Sequence, residues 1–278
     1  MRAAFRGAAI VVGALLTGVV VALAAPATDL PIVDAHLHYS SNSWDGYPPE
    51  AILALMDRAG IARAFVSSTP DEGTVRLYER APARIVPVLR PYRQPGELET
   101  WSRDPTIPAY LEQRLARPIY RGIGEFHLTG AEAVGPVVRR VAELAARRGL
   151  FLHCHCDIAA MEALAAAAPG VRLLWAHAGM SAGAAEVERL LARLPALSVE
   201  LALRSDVAPG GQLDPAWRAL FVRHPDRFMV GTDTWVPSRW GSLLATQAET
   251  RAWLGQLPPE IARRLASENA ERLAGPAP

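Results

Sequence analysis

Short apolar runs alternate with amphipathic helical patterns along most of the chain, and this alternation restricts the fold more than any other feature. Parallel strands joined by helices produce such a pattern, because each crossover helix covers one face of the sheet. We predict eight strands, at residues 32–38, 63–68, 85–90, 120–126, 150–155, 171–177, 197–203 and 227–232. Eight strand–helix units in 278 residues predict a single α/β domain, a (β/α)8 TIM barrel, rather than an open sheet.

The first 25 residues have the pattern of an export signal and are excluded from the barrel. Arg2 and Arg6 precede an apolar run over residues 8–25, which ends in small residues of the kind found at signal cleavage sites. The run is long for a signal peptide, so a retained membrane anchor is the alternative, and only then would the membrane be a partner. We expect residues 1–25 to direct export to a bacterial periplasm and residues 26–278 to form the barrel domain.

Charge and cysteine content restrict the partners and the covalent structure. The 29 Lys and Arg residues nearly balance the 28 Asp and Glu residues, and a net charge of +1 gives no reason to expect nucleic acid as a partner. A small-molecule substrate is expected, and assembly into a homo-oligomer is left open. Cys154 and Cys156 stand two residues apart in a predicted strand, where we expect buried thiols rather than a disulfide.

Six of the seven histidines end or follow predicted strands, where a barrel carries its chemistry. They are His36, His38, His127, His153, His155 and His177. Glu125 and Asp233 stand at equivalent strand ends, and Asp34 shares the face of His36 at a deeper position, where we expect it to support the site. Nitrogen and oxygen ligands of this kind suit one or two divalent metal ions, with zinc expected first and manganese or iron as alternatives.

The order of these residues resembles that of the amidohydrolase superfamily, over nearly the whole chain after the export segment. The resemblance rests on His36-x-His38 after the first strand and on single residues at later strand ends: Glu125, His153, His177 and Asp233. Residues 174–179 and 268–273 resemble the amidohydrolase-related (amidohydrolase 2) branch, which includes decarboxylases and lactone hydrolases. Residues 122–125, Gly-Ile-Gly-Glu, look more like TatD-type nucleases, in which a glutamate bridges two metals.

The fourth strand departs from the pattern of many superfamily members, which carry a carbamylated lysine there. The chain contains no lysine, so the resemblance leaves Glu125 as the candidate for that position.

The resemblance implies a role for each of these residues. A divalent ion held by His36, His38 and Asp233 would lower the pKa of a bound water. Asp233 would accept the proton of that water and then pass it to the leaving group. A second ion would use a further set of ligands: Glu125, His153 and His177. With one ion, His177 would orient or polarise the substrate carbonyl and Glu125 would hold a histidine in place.

Several positions around this set stay open. His153 and His155 lie on one strand face, and the family pattern favours the deeper His153 as ligand, which leaves His155 as a substrate contact or an exposed polar residue. His127 lies past Glu125 and is expected at the pocket rim. Further residues could contact substrate because they follow strands three, seven and eight: Arg90, Arg204 and Trp235.

The leading hypothesis is an exported metal-dependent hydrolase that cleaves a C–O or C–N bond, in an ester, lactone or amide, of a small organic substrate. A decarboxylase or other lyase on the same scaffold is the alternative. A TatD-like nuclease and a non-enzymatic periplasmic metal-binding module are further alternatives.

Overall fold

The computed structural model describes residues 30–275, and the predicted export segment lies outside them. Eight parallel strands follow one another around the sheet in chain order. They are β1 (Ile32–Leu37), β2 (Ile61–Val66), β3 (Ile85–Leu89), β4 (Gly122–Leu128), β5 (Phe151–Cys156), β6 (Leu173–Trp175), β7 (Leu197–Glu200) and β8 (Phe228–Met229). The predicted (β/α)8 TIM barrel is confirmed.

Helices follow the strands and cover the outside of the barrel. They are α1 (Pro49–Arg58), α2 (Glu72–Arg80), α3 (Ile107–Arg114), α4 (Gly130–Ala133), α5 (Pro136–Arg148), α6 (Ile158–Ala167), α7 (Ala184–Arg193), α8 (Pro215–Arg223), α9 (Pro237–Leu254), α10 (Pro259–Arg263) and α11 (Asn269–Ala274). Proline opens several of them, in a position where its missing N–H costs no helical hydrogen bond. In the described part of the chain, no helix has the length and hydropathy needed to cross a membrane.

The barrel is joined between its last and first strands just beyond the end of β8. The amide of Ala35 donates to the carbonyl of Val230 at 2.9 Å, and the amide of Asp233 donates to that of His36 at 2.8 Å. Below them, the buried Asp34 carboxyl accepts from the amide of Thr232 at 3.0 Å and from its hydroxyl at 2.7 Å. Asp34 therefore supports the site by connecting the two ends of the barrel, as expected.

Alternation along β5 separates the site from the packed layers. Leu152 and Cys154 belong to the large apolar core between the strands and the helices. Phe151 belongs to a smaller cluster, which side chains of other strands share with the C-terminal helix α11. His153 and His155 alternate with the core residues and so lie on the face of Phe151, inside the barrel.

The two cysteines of β5 differ from their expected state. The structure records Cys154 and Cys156 as a disulfide, with Cα atoms 5.6 Å apart, so the prediction of two free thiols is wrong. The physical reason is the strand geometry itself, since alternation places both side chains on the same outward face and the Cα separation lies within the range that a disulfide spans.

Candidate active site

Four buried side chains converge on one point at the carboxyl ends of the strands. They are His36 and His38 from β1, Glu125 from β4, and Asp233 just after β8. The Nε2 atoms of the two histidines lie 3.1 Å apart. Each Nε2 lies 3.2–3.5 Å from Glu125 Oε2 and from Asp233 Oδ1. Two ligands bound to one ion at about 2.1 Å each would be separated by roughly 3.0–3.4 Å, which is the spacing observed.

The other ring nitrogen of each histidine is held by an acceptor. His36 Nδ1 donates to Glu200 Oε2 at 2.9 Å, and His38 Nδ1 donates to the carbonyl of Ser67 at 2.7 Å. A carboxylate and a carbonyl can only accept, so Nδ1 carries the proton in each neutral ring. Both Nε2 lone pairs then face each other and two carboxylates, an arrangement that requires a cation among them.

The pKa shifts of His36 and Glu125 also indicate that the cluster favours a positive charge. Burial opposes the charged form of His36, yet the carboxylates of Glu125, Asp233 and Glu200 raise its pKa well above the usual value. Burial likewise opposes ionisation of Glu125, but His36 and further imidazoles hold its pKa well below the usual value. The centre of the cluster therefore takes up a positive charge, either a proton on His36 or a metal ion.

His177 and His153 lie beside this cluster. His177 Nδ1 donates to the carbonyl of Ala202 at 2.9 Å, which turns Nε2 towards Glu125 Oε1 at 3.5 Å. The ring of His153 lies 4.5 Å from that of His36. The Nε2 atoms of both His153 and His177 are buried without a hydrogen-bond partner, as expected of atoms that face a ligand. Burial and the nearby His36 lower the pKa of His153 well below its usual value, so this ring stays neutral.

The three residues that the family pattern implies for a second ion lie around the same space. His177 Nε2 is 3.5 Å from Glu125 Oε1, and the His153 ring packs against that of His36. Glu125 also gathers with two histidines nearer the mouth of the barrel, His127 and His155. His155 Nδ1 lies 3.2 Å from Glu125 Oε1, and His127 Nε2 lies 3.9 Å from it.

Two arginines considered for substrate binding contact the protein itself. Arg90 donates to the Glu125 carbonyl at 3.0 Å and to its Oε2 at 3.3 Å, so it fixes the carboxylate of a candidate ligand. Arg204 donates to the carbonyls of His177 and Ala178 and to the Asp206 carboxylate, and it thereby holds the loop that carries His177. Both guanidinium groups therefore also have a structural role, whether or not their remaining N–H groups contact a substrate.

Trp235 and Asp233 follow β8 in different environments. Trp235 is 49% exposed at the barrel mouth, where a substrate could contact it. Asp233 has a left-handed backbone conformation with φ of 47°, which is strained for a residue other than glycine. The Asp233 carbonyl accepts from Arg239 Nε at 2.7 Å, while its amide donates to the carbonyl of His36. The turn is therefore held on both sides. The Asp233 side chain is 11% exposed, so its carboxylate reaches both the cluster and the solvent.

Sequence reasoning missed Glu200 and Ser67. Glu200 is fully buried at the end of β7 and accepts from the amides of His177 and Ala202 as well as from His36. Ser67 follows β2 and presents its carbonyl to His38. The signal that could have found Glu200 was its charge, since it is a carboxylate within the predicted seventh strand, residues 197–203.

The fold and the site together define a class of protein. A (β/α)8 barrel whose strand ends direct imidazoles and carboxylates at one point is the scaffold of a metal-dependent enzyme. A family model described as amidohydrolase matches residues 33–275, and the chain belongs to the amidohydrolase family. The expectation of an enzyme of the amidohydrolase type is confirmed at the level of the family.

Solved structures share the fold at low sequence identity. A Pseudomonas putida protein provisionally described as a 2-pyrone-4,6-dicarboxylic acid hydrolase superposes with a TM-score of 0.63 at 18% identity, covering 88% of this chain and 97% of that one. A TatD homologue from Escherichia coli K12 superposes with a TM-score of 0.57 at 17% sequence identity, covering 88% of this chain and 98% of that one. N-isopropylammelide isopropylaminohydrolase from Burkholderia multivorans superposes with a TM-score of 0.54 at 17% sequence identity, covering 88% of this chain and 74% of that one. Comparison with curated protein sequences finds no significant match.

Proposed function

We propose that this protein is a metal-dependent hydrolase that cleaves a C–O or C–N bond of a small organic substrate. One observation carries the proposal. The Nε2 atoms of His36 and His38 lie 3.1 Å apart with both Nδ1 atoms bonded to acceptors, and two carboxylates face the same point. Lone pairs and negative charges at this spacing repel one another unless a cation lies among them.

The residues fit a divalent ion. His36, His38, Glu125 and Asp233 would hold it, and the donor set of two imidazoles and two carboxylates suits zinc, with manganese and iron as alternatives. When bound, such an ion lowers the pKa of a water molecule and polarises a carbonyl. The buried, unpartnered Nε2 atoms of His153 and His177 support the fit, because they border the same space.

Asp233 moves the proton in the proposed reaction. Its Oδ1 faces the two β1 imidazoles, and its Oδ2 lies 3.9 Å from His177 Nε2, so the carboxylate connects the ligand cluster with the place where a substrate would enter. It would accept a proton from the attacking water and return it to the leaving group. The bonds of its backbone to His36 and Arg239 hold that geometry during the transfer.

His177 orients the substrate in this proposal. Because Nδ1 is bonded to the carbonyl of Ala202, only Nε2 faces the site. In its protonated form the ring would donate from Nε2 to the oxygen of the scissile carbonyl. Arg204 bonds to the carbonyls of His177 and Ala178, which keeps the ring in place.

Hydrolysis is favoured over decarboxylation. The family description is amidohydrolase, and the similar structures include an aminohydrolase and a protein provisionally described as a pyrone dicarboxylate hydrolase. An ester, lactone or amide is the substrate class that matches a water-activating Asp233. We further propose that residues 1–25 direct the enzyme to the periplasm, on the basis of their arginines and apolar run.

The test uses purified, zinc-loaded protein on panels of esters, lactones and amides, with carbon dioxide release from aromatic and unsaturated acids measured in parallel. We expect hydrolysis that His36→Ala abolishes and that His224→Ala retains, since the His224 imidazole pairs with the surface residue Glu188, away from the ligand cluster. Carbon dioxide release without hydrolysis would overturn the proposal in favour of a lyase. Activity that survives His36→Ala would remove the ion site from the mechanism.

A further inference from the structure

A cavity of about 790 Å³ lies between the loop that follows β7 and helix α9. Residues 203–205 and 208–211 line it from the loop, and α9 lines it between Arg239 and Trp253. The four candidate ion ligands do not line it, so it is distinct from the site of the proposed reaction. Its volume is typical of sites for small organic ligands, which occupy about 300–1,000 Å³.

Arg239 places a positive charge at one end of this cavity. Its Nε donates to the carbonyl of Asp233 at 2.7 Å, and its Nη2 donates to that of Thr232 at 2.5 Å. Neither acceptor is charged, and within residues 30–275 the structure records no ion pair of this guanidinium. The two bonds hold the planar group by its Nε edge, while the edge between Nη1 and Nη2 remains for another acceptor. A carboxylate fits that edge, because its two oxygens match the spacing of two guanidinium N–H groups.

The other arginine of the cavity already has a carboxylate partner. Arg204 forms an ion pair with Asp206 at 2.6 Å and donates to the carbonyls of His177 and Ala178. Arg239 is therefore the group in the cavity wall that can recognise an anion.

Apolar side chains line much of the remaining cavity, among them Leu201, Leu203, Pro209 and Trp253. Leu203 is 42% exposed, so an apolar group bound in the cavity would remove part of its surface from water. Trp253 stands near the end of α9, roughly 20 Å from Arg239 along the helix at about 1.5 Å per residue. The cavity therefore combines a cationic end with an elongated apolar wall.

Glu249 is the acidic residue of the lining, and its position is compatible with an anion on Arg239. It lies about 15 Å from Arg239 along α9 and is exposed to solvent. Charges at this separation on a wet surface are largely screened by salt. The cationic end of the cavity thus keeps its preference for a negative group.

We propose that the cavity binds an amphipathic carboxylate, with its anionic group on Arg239 and its apolar chain between the loop after β7 and α9. Such a ligand would lie next to the turn of Asp233, because Arg239 bonds to the carbonyl of that residue. Hydrolysis of an ester, lactone or amide releases a carboxylic acid, so the ligand belongs to the product class of the proposed reaction. The inference does not rest on that reaction, since no candidate ion ligand lines the cavity.

Octanoate is the probe, and isothermal titration calorimetry of the zinc-loaded full chain measures its binding. Octanol tests the contribution of the charge, and acetate tests that of the apolar chain. We expect octanoate to bind at least about tenfold more tightly than either, because each comparison compound lacks one of the two contacts. Removal of zinc with a chelator should leave the affinity for octanoate unchanged.

Two variants test the position of the ligand. Arg239→Gln removes the charge, and Ala252→Trp fills the cavity from an exposed position on α9, so both should weaken octanoate binding at least about tenfold. The matched controls are Arg218→Gln on α8 and Ala166→Trp on α6, which are exposed and outside the cavity and should bind octanoate as the wild type does. Circular dichroism checks that each variant is folded.

Several results would overturn this site. Octanoate that does not bind to the wild type, or that binds no better than octanol or acetate, contradicts it, and so does binding that survives either Arg239→Gln or Ala252→Trp. Binding lost on removal of zinc would place the carboxylate at the ion cluster, which overturns the cavity and supports the ion site. A protein that binds octanoate as expected but hydrolyses no ester, lactone or amide keeps this site and refutes only the proposed function.

Discussion

Glu200 Oε2 lies 2.9 Å from His36 Nδ1, so the last residue of β7 orients the first candidate ligand on β1. Carboxylates that accept from the far nitrogen of a metal-binding histidine fix its tautomer and make the ring a stronger donor. Glu200 is therefore a positioning residue, which acts on the ion through His36.

Glu200→Gln tests this relationship. Glutamine can still accept from His36 Nδ1 but lacks the negative charge, and we expect zinc affinity to fall about 10- to 100-fold. The measurement is a competition titration against a chelator of known affinity. The matched control is Glu188→Gln, a surface change opposite Arg223 that should leave the affinity unchanged. Equal zinc affinity in Glu200→Gln and wild type would contradict the role.

Gly231→Ala tests the packing around the Glu200–His36 pair. A Cβ at position 231 would overlap Glu200 Oε1 and would lie 2.9 Å from the Cβ of His36, so the added methyl must displace both. Overpacking of this kind costs about 1–3 kcal/mol, and we expect lower stability together with weaker zinc binding. Gly46→Ala is the control, since nothing lies within 4 Å of a Cβ placed there. Thermal unfolding and zinc titration of both variants measure the difference, and a Gly231→Ala protein as stable as Gly46→Ala would refute the packing argument.

Zinc should compete with a proton at the site. The pKa of His36 is raised well above its usual value, because the surrounding carboxylates outweigh its burial, so the metal-free site favours a proton on this ring. An ion can bind only when that proton leaves, and below the pKa the apparent affinity should fall about tenfold for each unit of pH. Calorimetry in two buffers of different ionisation enthalpy measures the release. Enthalpies that do not depend on the buffer would show that no proton is displaced.

Asp34 should make stability depend on pH. Burial raises the pKa of Asp34 to about 6, although hydrogen bonds from Thr232 and His36 oppose the shift. The folded state therefore favours the protonated carboxyl, and its contribution is present below the unfolded pKa of about 3.9 and is lost as pH rises through about 6. A shift of about two units corresponds to roughly 3 kcal/mol.

Asp34→Asn isolates that effect. Urea unfolding of the variant should lack this part of the pH dependence, so wild type should lose up to roughly 3 kcal/mol relative to the variant between about pH 4 and pH 7. A stability difference between the two proteins that stays constant over this range would show that Asp34 is ionised in both states.

The number and order of the elements could be predicted from the sequence, because each unit carries its own local pattern. The strand predicted at residues 63–68 and the amphipathic stretch at 72–80 each need no distant partner to be recognised. The ends of β6 and β8 could not be predicted from the sequence. The apolar run of β6 continues towards His177, whose positive φ takes the chain out of the sheet, while β8 ends at Met229, before the positive φ of Asp233.

The candidate ligands could be proposed for a similar reason, since a barrel brings all its strand ends to one edge. The partner of His36 could not be identified, because Glu200 is 164 residues away and reaches it only across the interior of the barrel. The same limit applies to Arg90 and Arg204. Their positions suggested substrate binding, and only the folded structure shows that they also donate to Glu125 and to the His177 loop.

The metal site itself is tested by an anomalous-difference map from crystals of zinc-loaded protein, recorded on both sides of the zinc absorption edge. We expect a peak about 2.0–2.2 Å from His36 Nε2, His38 Nε2 and the facing oxygens of Glu125 and Asp233. Zinc-loaded crystals with no peak there, and with the two Nε2 atoms still 3.1 Å apart and joined by a direct hydrogen bond, would contradict it.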